Sequence, residues 1–111
     1  MTGPRMTPHT IAVLRVLLED PAIPRYGLDI ARQAGLKTGT LHPILNRLQQ
    51  AGLIESFWED PADHENQGRP RRRYYRLTDQ GAERARTALS RVHTPQALVR
   101  KLRPGLAGEL A

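Results

Sequence analysis

Apolar residues return at helical spacing along the first half of the chain, and then the period changes. Ile11, Leu14 and Leu18 stand three and four positions apart, with Val13 and Leu17 widening the same face, which predicts a first helix. Thr7 and Pro8 supply its start: a hydroxyl to cap unpaired amides, then a proline whose missing N–H costs nothing at the first helical position. That helix should end near Asp20, before a turn enclosed by Pro21 and Pro24. A short second helix follows in YGLDIARQAG, with Leu28 and Ala31, joined by Ile30 and Ala34, as its apolar side and Gly35 as its stop.

After the tight link Gly35-Leu36-Lys37, the segment TGTLHPILNRLQQAGL sets Leu41, Leu45 and Leu48 at i, i+4 and i+7, flanked by Ile44 and Ala51. A third helix is predicted there, starting between Thr38 and Thr40. Pro43 is the awkward residue: with Thr40 as cap it falls in the first turn and costs little, whereas with Thr38 as cap the start should be distorted. Gly52 is the expected stop. LIESFWED then reads as a strand whose apolar content is Leu53, Ile54, Phe57 and Trp58. The polar turn PADHENQG leads to PRRRYYRLT, a returning strand that completes an antiparallel hairpin with a long tip. Tyr74 and Tyr75 fall on opposite sides of that strand, one packing on Trp58 or Leu77 and the other more exposed. Thr78 caps a fourth helix with a narrow seam of Ala82, Ala85, Leu89 and Val92, while Arg84, Arg86 and Arg91 point elsewhere. Thr94-Pro95 repeats the cap-plus-proline signal and predicts a separate short segment with Leu98 and Leu102, ended by Pro104-Gly105.

Composition narrows the function classes. With 111 residues the chain fits one small domain, and it carries 17 Lys and Arg against 11 Asp and Glu. The balance is uneven: residues 1–68 hold six basic and eight acidic side chains, residues 69–111 eleven basic and three acidic. The positive field is densest in RPRRRYYR, Arg69 to Arg76, which suits a polyanion such as DNA. The absence of Cys excludes disulfide scaffolds, thiolate metal sites and cysteine nucleophiles. The stretch Ile11 to Leu18 is interrupted by Arg15 and is too short to span a bilayer, so no membrane partner is expected. No export signal is read in the first residues, and the expected location is the cytoplasm, at the nucleoid.

Three helices, a two-stranded hairpin and a further helix, with a very short link between helices two and three, is the order of a winged helix-turn-helix. The expected fold is therefore mainly α with a small β-hairpin. The division is a DNA-binding domain over residues 1–78 and a C-terminal helical dimerisation segment and tail over 79–111. In such modules the third helix enters the major groove. Off its leucine stripe this helix carries Lys37, Thr38, Thr40, His42, Asn46 and Arg47. These offer a cation and hydroxyls for phosphates, with Asn and Arg suited to adenine and guanine edges.

The residues so assembled resemble the DNA-binding domain of the PadR family of bacterial transcriptional regulators. The resemblance is carried by YGLDIARQAGLKTGTLHPILNRLQQAGLIES (26–56), GRPRRRYYRLTDQG (68–81) and the apolar first helix, and it covers roughly residues 8–92. It implies a dimeric repressor on an inverted-repeat operator in double-stranded DNA. Thr38-Gly39-Thr40 and the third helix would lie in the major groove, and the wing around Gly68 to Arg73 on the backbone and minor groove. The candidate DNA-binding residues are Lys37, Thr38, Gly39, Thr40, His42, Asn46, Arg47, Arg69, Arg71, Arg72 and Arg73. The candidate dimerisation residues are Ala82, Ala85, Leu89, Val92, Leu98 and Leu102. Two departures stand out: His42 replaces the family's usual Tyr, and the C-terminal part is short and broken at Pro95 and Pro104.

An enzyme is the first rival. Its material is His9, His42, His64 and His93 with Asp63 and Glu65, but no HExxH, Gly-rich phosphate loop, GxSxG or paired-carboxylate motif accompanies them, so no enzyme, cofactor or metal is expected. The second rival is a winged-helix adaptor for protein contacts or a non-specific DNA-binding accessory protein. The regulator reading adds a small-molecule effector in an apolar cavity between the dimerisation helices and the core.

Overall fold

The computed structural model describes residues 4–64 and 68–102, with residues 63, 64 and those from 92 onward as backbone only. The elements run α1 (Pro8–Glu19), β1 (Arg25–Tyr26), α2 (Gly27–Ala34), α3 (Thr38–Gln50), β2 (Ile54–Trp58), α4 (Pro61–His64), β3 (Arg73–Leu77) and α5 (Asp79–Leu102). Helix α1 begins as its sequence demands, with Pro8 in its first turn and the Thr7 hydroxyl accepting from the Thr10 amide at 3.2 Å. Helix α2 ends on Gly35 at φ +72°, a left-handed cap open to glycine at little cost.

Helix α3 starts at Thr38, with Lys37 in the capping position and no side chain capping it. Pro43 therefore sits in the second turn, where it offers no N–H to the Gly39 carbonyl. The leucine stripe behaves as its spacing predicts: Leu41, Ile44, Leu45 and Leu48 are buried and join Leu14, Leu17 and Ile30 in one core. That burial fixes the helix's rotation, so its other side faces solvent.

The sheet has three strands in the order β1-β3-β2, all antiparallel. The hairpin of β2 and β3 was legible, and so was the turn between Pro21 and Pro24, but β1 corrects the expectation of a two-stranded hairpin. Two residues carry no alternation to read; Arg25 and Tyr26 become a strand only because Tyr75 and Tyr74 lie opposite them. The sheet's inner face presents Ile54, Tyr75 and Leu77 to the core, and its outer face carries Tyr26, Phe57 and Tyr74. The tip also holds the one-turn helix α4, where a polar turn was expected.

Several apolar expectations are corrected. Leu28 is 46% exposed and Trp58 54%, Phe57 lies on the solvent side of β2, and Ala51 is exposed beyond the end of α3. Tyr75 is thus the core tyrosine, in one cluster with Leu77. The largest correction concerns the C-terminus: α5 runs unbroken from Asp79 to Leu102, straight through Thr94-Pro95. Good helix formers on both sides of Pro95, in ALSR and QALVRKL, outweigh the one hydrogen bond the proline removes. Pro104 lies outside the described residues. Ala82 and Ala85, expected on a seam toward a second copy, are buried in the core of their own chain. The side chains of Val92, Leu98 and Leu102 fall outside the described residues.

A cross-brace ties the start of α5 to the base of the wing. The Thr78 amide donates to the Leu53 carbonyl at 3.0 Å, and the Thr78 hydroxyl donates to the Gly52 carbonyl at 2.8 Å while accepting from the Gly81 amide at 3.0 Å. Gly81 is packed so closely there that a Cβ would collide with the Leu53 carbonyl.

Candidate nucleic-acid interface

The exposed side of α3 gathers the predicted residues on one surface. Lys37, Thr38, Gly39, Thr40, His42, Asn46 and Arg47 are all exposed, opposite the buried leucines. Among the described residues, the side chains of Lys37, Thr38, Thr40, His42, Asn46 and Arg47 make no hydrogen bond or ion pair. Their donors and acceptors are therefore available to base edges and phosphates without breaking an internal contact first. His42 lies beside the start of α2, its Cε1 3.9 Å from where a side chain on Gly27 would begin.

The wing is built on the opposite principle, because each of its arginines has an internal partner. Arg71 donates through Nε and Nη2 to the Glu59 carbonyl at 3.3 and 3.2 Å and lies 5.5 Å from the Trp58 ring centre. Arg73 donates twice to the Ser56 hydroxyl, at 3.1 and 2.8 Å, and flanks the same indole at 5.6 Å. Ser56 in turn donates to Gln49 of α3 at 3.2 Å, which joins wing to helix. Arg72 stacks on Tyr26 at 4.1 Å, and its guanidinium donates no hydrogen bond among the described residues. Stacking of this kind holds a guanidinium without consuming its donors.

Arg69 differs from its neighbours. Its two terminal nitrogens grip the Glu59 carboxylate at 2.8 and 2.7 Å, and Glu59 is only 7% exposed. The hydrogen bonds from Arg69 hold the Glu59 carboxyl well down, from its ordinary 4.5 to about 2, against the opposing effect of desolvation, and the carboxylate in turn raises Arg69. Arg69 was expected as a phosphate contact, yet most of its hydrogen-bonding fork is spent on Glu59. Arg76 is likewise paired, to Glu55 at 2.9 and 2.7 Å.

Sequence reasoning missed Tyr26, Trp58 and Glu59 as parts of this surface. Trp58 was assigned to the core by its hydrophobicity, and only its register opposite Arg73, beyond the last buried pair, places it outside. Glu59 carried one available signal: a lone carboxylate beside a run of arginines. An open cleft of about 590 Å³ beside α5 is lined by Glu55, Arg76, Asp79 and Arg86 as well as Leu77 and Ala82.

Comparison with known proteins gives a consistent result. The model of the "Transcriptional regulator PadR-like family" matches residues 13–87. Among solved structures, a PadR family transcription regulator from Clostridium difficile R20291 aligns at 23% identity, over 95% of this chain and 100% of that one, with a TM-score of 0.67. The PcaV transcriptional regulator of Streptomyces coelicolor aligns at 24% identity over 96% of this chain and 72% of its own, with a TM-score of 0.71. A protein of Ralstonia eutropha JMP134 with a solved crystal structure is 32% identical over 75% of this chain and 96% of its own, at a TM-score of 0.56. No curated protein matches.

Proposed function

The chain belongs to the PadR-like family of transcriptional regulators, and from that premise we propose that it is a sequence-specific DNA-binding regulator, a dimeric repressor acting on an inverted-repeat operator. The observation that carries this reading is the exposed face of α3, whose Lys37, Thr38, Thr40, His42, Asn46 and Arg47 side chains are unbonded among the described residues, turned outward by the leucine stripe and joined to the arginine-rich wing through Gln49 and Ser56. Helix α3 supplies base preference through Thr40, His42, Asn46 and Arg47, with Lys37, Thr38 and Gly39 at the backbone. Arg71, Arg72 and Arg73 supply affinity by displacing counterions from phosphates.

The division at residues 78 and 79 is kept for the roles of the two parts, although the first turns of α5 share the core. The dimer contact is assigned to the later part of α5, from Leu89 through Val92, Leu98 and Leu102, since the burial of Ala82 and Ala85 is already accounted for. A helix of 24 residues is about 36 Å long, enough to serve both purposes. No helix of the described residues is long and apolar enough to cross a membrane, and the proposed location is the cytoplasmic nucleoid. A small-molecule effector bound between paired α5 helices and the core completes the proposal; enzymatic activity and a cofactor form no part of it.

Selection of bound duplexes from a random pool at near-physiological salt tests the reading. Enrichment of an inverted repeat supports a sequence-specific dimer. Salt-sensitive binding without enrichment would indicate a non-specific accessory protein, and no binding an adaptor for protein contacts.

A further inference from the structure

A nearly buried carboxylate is an unexpected feature of a surface meant for a polyanion. Glu59 lies just past the end of β2, where the hairpin ladder is about to fail: its amide donates to the Arg72 carbonyl at 2.8 Å, and Pro70 has no N–H with which to continue the pairing. Side chains take over there. The carboxylate accepts from both terminal nitrogens of Arg69 and from the Arg72 amide at 3.2 Å, while the Glu59 carbonyl accepts twice from Arg71. One residue thereby fixes three of the wing arginines. Trp58 and Tyr26 complete the arrangement by giving Arg71 and Arg72 a ring to lie on.

We propose that Glu59 is the positioning residue of the wing: gripped by Arg69, it holds Arg71 and Arg72 where they meet DNA, without touching DNA itself. Arg69 is then an internal clasp and not one of the phosphate contacts. This rests on the DNA-binding reading above, and it makes a prediction of unusual sign. By charge alone, removing a carboxylate from a DNA-facing surface strengthens binding and steepens its salt dependence. By positioning, the same change weakens binding, because the carboxylate's hold on Arg69 and on the Arg72 amide is what keeps the two wing strands, and with them the Glu59 carbonyl that Arg71 grips, in a fixed place before contact; without it the guanidiniums of Arg71 and Arg72 must be ordered during binding.

The test uses the full chain and a duplex enriched in the selection. Glu59→Gln should lower affinity about tenfold, the scale of one lost charge-assisted contact, and should not steepen the salt slope. Arg69→Lys keeps every charge and loses only the two-pronged grip, so it should weaken binding in the same direction. Trp58 is the chain's only tryptophan, and its quenching by acrylamide in the unbound protein reports the wing itself. Both variants should raise it while the thermal melt of the helices stays near that of the parent. Affinity equal to or above the parent's in Glu59→Gln, or unchanged affinity and quenching in Arg69→Lys, overturns the proposal. Failure of the parent protein to bind any duplex would sink the DNA reading and this inference with it.

Discussion

Helix α3 and the wing both face solvent with polar side chains, yet they prepare those side chains in opposite ways. Among the described residues the helix leaves Asn46, Arg47 and Thr40 without internal partners, and it relies on Leu41, Leu45 and Leu48 behind them for its position. The wing has little core beneath its outer end and ties its arginines to Glu59, Ser56 and two aromatic rings instead. Base reading needs every donor and acceptor of a short side chain. Phosphate contact needs only a cation held in place, and an arginine with five donors can spend two on its own chain.

The largest expected effect tests the frame both regions hang on. Gly81→Ala drives a methyl group into the Leu53 carbonyl, a backbone atom that cannot swing aside. It should destabilise the fold by about 3 kcal/mol, seen as a lower melting temperature with both surfaces lost together. Next comes the wing alone: Arg71→Ala with Arg72→Ala should weaken binding to every duplex by roughly 100-fold at moderate salt and flatten the log–log salt slope by about 2. An unchanged slope would remove the wing from the DNA contact. Asn46→Ala should act differently, costing about 1–3 kcal/mol of discrimination at one base pair while sparing affinity for random duplex.

The smallest effect concerns acid. Because the folded-state pKa of Glu59 is depressed, from 4.5 to about 2, the stability its carboxylate adds is fully present above about pH 4.5 and lost as pH falls toward 2. Trp58 quenching should therefore hold steady from neutral pH to about 4.5 and rise below it, and Glu59→Gln should abolish that acid-dependent step. A transition centred near pH 6 would point to another group.

Most of the helical frame was legible because its signals are local: Thr7-Pro8 for a start, Gly35 for a stop, the leucine stripe for rotation. The α3 face followed from that stripe, since burying Leu41, Leu45 and Leu48 leaves Asn46 and Arg47 nowhere to point but outward. What could not be read depends on partners distant in sequence. Strand β1 exists only through pairing with Tyr74 and Tyr75, and Trp58 is exposed only because the core ends before it. Glu59 meets Arg69 ten residues on, across a turn. Thr94-Pro95 misled for a related reason, as a cap signal identical to that of α1 lies inside a continuous helix.

The division of labour between helix and wing is tested most directly by repeating the random-pool selection with the Arg71→Ala, Arg72→Ala protein and with Asn46→Ala, beside the parent. The account predicts that the wing variant enriches the parent's motif at lower affinity and that Asn46→Ala enriches one degenerate at a defined position in each half-site. A wing variant that selects a different motif, with Asn46→Ala selecting the parent's, would contradict it.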